Sequence, residues 1–190
     1  MGKTPPRSES KYWGKDFKWV SIADMVESGI IYDTKEYISL KGFNDKFSGT
    51  ISPKGTLLMS FKLTVGKVSI LGDDCLHNEA IISIFPFLDY ENITRNYLFE
   101  ILPLISKSGN TKSAIKGKTL NSTSINNLLM PLAPLQEQLR IVNKLESTLP
   151  HIKEYNAKYR KLEKLNNSYK ENLKKSILQY AIQGKLVKQN

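Results

Sequence analysis

One cysteine, Cys75, and two histidines, His77 and His151, are the only thiol and imidazole groups in the 190-residue chain. An internal disulfide is therefore impossible, and a reducing, cytoplasmic setting is expected. Two scattered imidazoles and one thiol are too few for a metal site. No apolar run reaches the roughly 18 residues that a membrane-spanning helix requires. The polar opening "MGKTPPRSESKYWG" lacks the apolar h-region of a secretory signal. There is no G-x-x-x-x-G-K-[ST] loop to cradle nucleotide phosphates, and no G-x-S-x-G nucleophile elbow. Asp73 and Asp74 could form a nuclease-like carboxylate pair, but a Gly-Asp turn between strands calls for the same residues and is the preferred reading. Stand-alone catalysis is not expected.

Acidic charge is also scarce. Lys and Arg number 28 against 18 Asp and Glu, a net charge of +10. The surplus is uneven: residues 151–190 hold ten Lys/Arg and three Glu, which leaves only +3 for the first 150 residues. A basic balance points to a nucleic-acid partner. The competing explanation is a solvated, Lys-rich helix face.

Two regions follow from the pattern, residues 1–134 and 135–190. In the first, "GTLLMSF" (Gly55–Phe61), "GKVSIL" (Gly66–Leu71) and "EAIISIF" (Glu79–Phe85) read as strands, bounded by Gly, Asp, Asn or Pro. "WVSIADM" (Trp19–Met25) reads as a strand running into a short helix. "NITRNYLFEILPLI" (Asn92–Ile105) has helical spacing through Ile93, Tyr97, Ile101 and Ile105, with Pro103 expected to bend or end it. Several strands, one helix and further extended segments predict an α+β globule with a curled, mostly antiparallel sheet and peripheral helices.

The second region carries a different period. Leu145, Ile152, Tyr159, Asn166, Leu173 and Tyr180 recur every seven residues, and Tyr155, Leu162 and Tyr169 form an interleaved series. Steps of three and four make the seam of a coiled coil, and Asn166 is the polar exception that fixes register or orientation. Such a stripe is too narrow for a globular core and suits one neighbouring helix. A continuous helix from Gln136 to Ile182 would span about 70 Å at about 1.5 Å per residue. Pro150 is a candidate kink and Gly184 a candidate stop. No second segment carries this pattern, so the partner helix is expected from another chain, with packing back onto the globule as the alternative. Replicating the chain about a two-fold axis would supply an antiparallel partner.

Loops supply the remaining chemistry. "SFKLTVGK" carries Lys62 and Lys67 beside Ser60 and Thr64. "TKSAIKGKTLNSTS" (Thr111–Ser124) carries Lys112, Lys116 and Lys118 around Gly117, followed by Asn121. These residue types bind phosphate oxygens and base edges. Thr64 and Asn121 could equally close their own loops, Asn121 as a cap before "SINNLL".

Several stretches resemble one family. "PLAPLQEQLRIVNKLE" resembles the P-L-P-P-L-x-E-Q-x-x-I-V-x-K-I-E signature of specificity subunits from type I restriction–modification systems. "LKKSILQYAIQGKLV" is similar to the end of that family's long helix. "GKTPPRSESKYWG" with "WVSIADM" resembles the family's opening, and "GTLLMSFKLTVGKVSI" and "GKTLNSTSINNLLMPLAPLQEQ" match two further blocks. The resemblance covers nearly the whole chain.

It implies a non-catalytic subunit whose recognition domains each read half of a bipartite double-stranded DNA target, with long antiparallel helices setting the spacing. It further implies docking of methyltransferase and restriction subunits, on which S-adenosylmethionine, ATP and Mg are expected, with no cofactor on this chain. The family places the basic loops toward DNA. Because the family carries two recognition domains and two helices, this chain reads as a half-subunit, a fragment or the product of a rearranged locus. A coiled-coil interaction protein that binds methyltransferase or specificity subunits, with little DNA binding of its own, is the alternative.

Overall fold

The computed structural model describes residues 2–108, 112–114, 117–120 and 122–187, with the backbone alone at 63, 107–108, 112–114, 117–119 and 122. Its regular elements are β1 (Trp13–Val20), β2 (Gly29–Ile31), β3 (Glu36–Ile38), α1 (Leu40–Phe47), β4 (Leu57–Ser60), β5 (Lys62–Leu63), β6 (Val68–Leu71), β7 (Leu76–His77), β8 (Ile81–Ile84), α2 (Ile93–Ser108), β9 (Lys112–Ala114), β10 (Gly117–Thr119), α3 (Ser122–Asn126) and α4 (Leu135–Ile182). The chain divides into two compact units, Met1–Val142 and Asn143–Asn190.

The first unit is α+β, with three small sheets ordered β3-β1-β7, β5-β10-β9 and β2-β6-β4-β8. Among the described residues, antiparallel ladders predominate, and the parallel ones are β1 with β7 and β2 with β6. Strand β4 explains how the layers stack. All four of its residues are buried, as expected for a strand covered on both faces. Leu57 and Met59 pack with Val68 against Leu98 and Leu102 of α2. On the other face, Leu58 joins Val20, Ile31, Leu71 and Ile81. A third cluster, Trp19, Ile38, Phe47 and Leu76, packs α1 on the β3-β1-β7 sheet.

The N-terminal segment is tied to this third cluster through its tryptophans. Trp19 donates its indole N–H to the Lys3 carbonyl at 3.0 Å, and Trp13 donates to Pro6 at 3.2 Å. The two rings meet edge to face at 5.2 Å. Arg7 lies 4.4 Å above the Trp13 ring and makes a two-pronged pair with Glu36.

Three local expectations are corrected. "WVSIADM" does not enter a helix: β1 ends at Val20, and the Asp24 carboxylate accepts from the Ser21 amide and hydroxyl, building a turn. Pro103 does not end α2, which runs on to Ser108; Leu98 and Leu102, packed on the sheet, hold the helix across the proline. Helix α1 escaped the pattern because Gly42 interrupts it. Its signal was the N-cap Ser39, whose hydroxyl accepts from the Gly42 amide at 3.1 Å.

Helix α4 is assigned without a break through Pro150. It stops at Gly184, whose φ is +66°. There the Gly184 amide donates to Ala181 and the Lys185 amide to Tyr180, both at 3.0 Å. That pair of bonds is a Schellman motif, which needs glycine at the left-handed position. Gln138 and Val142 of the first turns are buried within the first unit. From His151 to Val187 every described residue but Ser168 is exposed.

Candidate nucleic-acid interface

The two basic loop stretches become neighbours through backbone pairing. After β4, Phe61 is buried and carries the chain from one sheet to the next: its amide donates to Ala80, and its carbonyl accepts from Leu120 at 2.9 Å. Strand β5 then pairs with β10, and β10 with β9. The register sets Lys62, Thr119 and Lys112 in one row, and Leu63, Lys118 and Ser113 in the next. Neighbouring strands lie about 4.8 Å apart, so three backbone positions bearing lysine fall within about 10 Å across the sheet. Lys116 and Asn121 lie outside the described residues.

The turn after β5 is fixed by Ser60. Its side chain is fully buried. The hydroxyl donates to the Thr64 carbonyl and accepts from the Lys67 amide at 3.3 Å. The Ser60 backbone amide donates to the Lys67 carbonyl at 2.9 Å. Ser60, expected among the DNA-contacting residues, is thereby corrected to a turn-closing residue, because a buried hydroxyl with committed partners cannot meet a base edge. Thr64 is exposed at the tip. Lys62 is half-buried, its ammonium 5.5 Å from the Phe61 ring. Lys67 is half-buried as well, donating to the Ile22 carbonyl at 3.4 Å.

Gly66 holds the turn against α2. Its φ is +81°, and a Cβ built there would lie 1.9 Å from the Ser106 hydroxyl oxygen. Both the left-handed backbone and the collision penalise a side chain. Gly66→Ala is expected to destabilise the first unit by about 1–3 kcal/mol, read as a lowered midpoint in a urea melt.

Other polar groups are spent on structure. Asp73 pairs with Lys18 at 2.6 Å, and the hydrogen bond from that ammonium holds its carboxyl below the usual range. Asp74 accepts from the Lys54 amide at 2.7 Å. Both carboxylates thus brace turns. His77, buried, is hydrogen-bonded to the Asn78 carbonyl and the Ser83 hydroxyl. Among the described residues no group of three or more His, Cys, Asp or Glu could hold a metal, and no helix is long and apolar enough to cross a membrane.

A cleft of about 720 Å³ lined by Arg7, Trp13, Lys15, Lys35 and Tyr37 was not singled out in the sequence. Arg7 there is already balanced by Glu36. The aromatic-basic run "RSESKYWGK" was its only signal.

In the second unit the seam residues lie open. Leu145 is half-buried, Asn166 is exposed, and exposure along the other seam residues runs from 46% at Leu173 to 67% at Tyr155. Tyr155, Tyr159, Leu162 and Tyr169 stand more than half exposed, a row of large apolar side chains. On the flanks, Lys158 pairs with Glu154 and Lys174 with Glu171. Such exposed pairs contribute only about 0.3–0.5 kcal/mol each.

Comparison with known proteins converges on one family. Its model, "Type I restriction modification DNA specificity domain", matches residues 1–167. The MjaIX type I restriction enzyme specificity subunit of Methanocaldococcus jannaschii is 27% identical over 154 residues, covering 76% of this chain and 34% of that protein. The HindI specificity subunit of Haemophilus influenzae is 29% identical over 154 residues, covering 78% of this chain and 33% of that protein. The chain thus spans about a third of the length of these relatives. Two solved structures share the fold at 21% identity, each covering 98% of this chain. One, from work on complex assembly and conformational transition of the type I R-M system, has a TM-score of 0.59 over 43% of that chain. The other, the HsdS subunit from Thermoanaerobacter tengcongensis, has a TM-score of 0.56 over 42%. With its opening, its sheets and most of its long helix inside the matched span, this chain belongs to the type I restriction–modification DNA specificity domain family.

Proposed function

We propose that this chain is a non-catalytic, sequence-specific DNA-recognition subunit with one recognition domain (1–134) and one spacing helix (135–190). It reads half of a bipartite double-stranded target and docks methyltransferase subunits. Family membership over residues 1–167 is the observation that carries this reading. The β5-β10-β9 sheet supports it, because its register sets Lys62 and Lys112, from separate stretches, in one row and so on one face, with Lys118 in the alternate row. Phosphate contacts from such lysines position a protein on the duplex, and exposed polar side chains such as Thr64 read base edges. S-adenosylmethionine, ATP and Mg belong, on this reading, to the partner subunits.

The open seam of α4 supports a homodimer. Two antiparallel copies of the helix would present two recognition domains related by a two-fold axis, and a two-fold reader selects a palindromic target. The same seam favours a second reading, an interaction protein that captures other subunits without reading DNA. Gel shifts of the purified chain against specific and scrambled duplexes over a salt series separate the two. Salt-dependent and sequence-selective retardation supports recognition; retardation indifferent to sequence, or none, favours the interaction protein.

A further inference from the structure

The turn between β7 and β8 sets one acidic side chain beside the basic sheet. The Ile81 amide closes it by donating to the Asn78 carbonyl at 3.3 Å, and the Asn78 side-chain oxygen accepts from the Ala80 amide at 3.0 Å. The Asn78 amide in turn donates to the Val20 carbonyl of β1 at 3.0 Å. Glu79, second in this turn, therefore has a fixed backbone, and it is exposed. The turn lies against the start of β5: the Ala80 carbonyl accepts at 3.0 Å from the amide of Phe61, the residue before Lys62.

Nothing in the turn itself calls for a carboxylate, since the second position of a common β-turn takes most residues. The side chain is instead held from the N-terminal segment. The Lys3 amide donates to the His77 carbonyl at 2.9 Å, which brings Thr4 alongside, and the Thr4 hydroxyl donates to Oε2 of Glu79. Desolvation pushes the Glu79 carboxyl up, but the Thr4 hydroxyl, the residue's own amide and the Lys62 charge outweigh it and hold the group below its ordinary value. Glu79 is thus ionised at neutral pH. An ionised carboxylate has about four acceptor sites, so capacity remains for a donor from outside the protein.

A carboxylate beside phosphate-binding lysines is repelled by the DNA backbone, and its favourable partner is a donor on a base edge. In the major groove cytosine presents its N4 amino group as a donor. Adenine sets the N7 acceptor beside its N6 donor, and guanine and thymine present acceptors. An acceptor-only side chain therefore favours cytosine.

We propose that Glu79 is a base-reading residue that accepts a hydrogen bond from the N4 amino group of a cytosine in the half-target, with Thr4 as its positioning residue. The inference rests on the DNA-recognition reading above. Lys62 offers a phosphate contact next to it, so one short stretch of surface both holds the duplex and reads a base.

Selection from randomised duplexes, run with the unmodified chain and with Glu79→Gln, tests the assignment. Glutamine keeps an oxygen for the Thr4 hydroxyl and adds an N–H donor, the pattern that pairs with N6 and N7 of adenine. One cytosine position of the half-site is expected to lose about tenfold or more of its preference and to shift toward adenine. The other positions and the thermal melt should stay as they were. In Glu79→Ala the same position should lose its preference with no new base gained. An identical motif from the unmodified and variant chains would overturn the assignment and leave DNA recognition standing. So would a change confined to a position that is not cytosine. A lowered melt with an unchanged motif would make the carboxylate a tie for the N-terminal segment and nothing more. No enriched sequence from the unmodified chain would overturn both the assignment and the reading beneath it.

Discussion

Leu162→Glu together with Tyr169→Glu is expected to convert the dimer to a monomer. Both residues lie on the seam, in the second of its two seven-residue series. Each is more than half exposed in the single chain, so a partner has roughly half of each side chain left to cover. Burying a large apolar side chain contributes about 1.5–3 kcal/mol. Four such sites, two per copy, each with about half of that still to gain, represent about 3–6 kcal/mol, roughly a 10²–10⁴-fold change in dissociation constant. Burying carboxylates in their place adds a further cost. Light scattering at tens of micromolar should report a dimer before the change and a monomer after it, with the recognition unit's melt unaltered. Dimers that persist would place the interface elsewhere.

Replacing Lys62 and Lys112, which share one row of the β5-β10-β9 sheet, together with Ala should weaken binding to every duplex. Each phosphate contact adds about 0.9 to the slope of log K against log salt. Losing two flattens the slope by about 1.8, and near 0.1 M salt that corresponds to roughly 10–10²-fold in affinity. The loss should be similar for specific and scrambled DNA, since phosphate contacts carry no sequence information. Fluorescence anisotropy titrations between about 50 and 200 mM salt, the range over which such contacts dominate, provide the readout. An unchanged slope would mean that the DNA path avoids the β5-β10-β9 sheet.

The sequence made some of this legible and hid the rest for identifiable reasons. β4, β6 and β8 are β-branched or Leu-rich runs between turn residues, so local pattern was enough. The seven-residue series in α4 was legible because a seam imposes one period over many turns, and Gly184 marked its end. The β5-β10-β9 sheet left no such trace. Its strands are two or three residues long, and β5 joins the local β9-β10 hairpin through pairing between positions more than 40 residues apart, which no local period encodes. Ser60 was misread for a related reason. A hydroxyl beside basic residues suits a ligand and a turn equally well, and only the burial of β4 on both faces decides between them. Gln138 went unnoticed at the sequence level because only the fold buries its side chain, which donates to the Ala133 carbonyl at 2.8 Å.

Selection from a pool of randomised duplexes by the purified chain tests DNA recognition most directly. The account predicts enrichment of one inverted repeat, two identical half-sites in opposite orientation at a single fixed spacing set by the paired helices. Retained DNA with no enriched sequence would contradict it, and would leave the chain as a protein that binds other subunits without reading DNA.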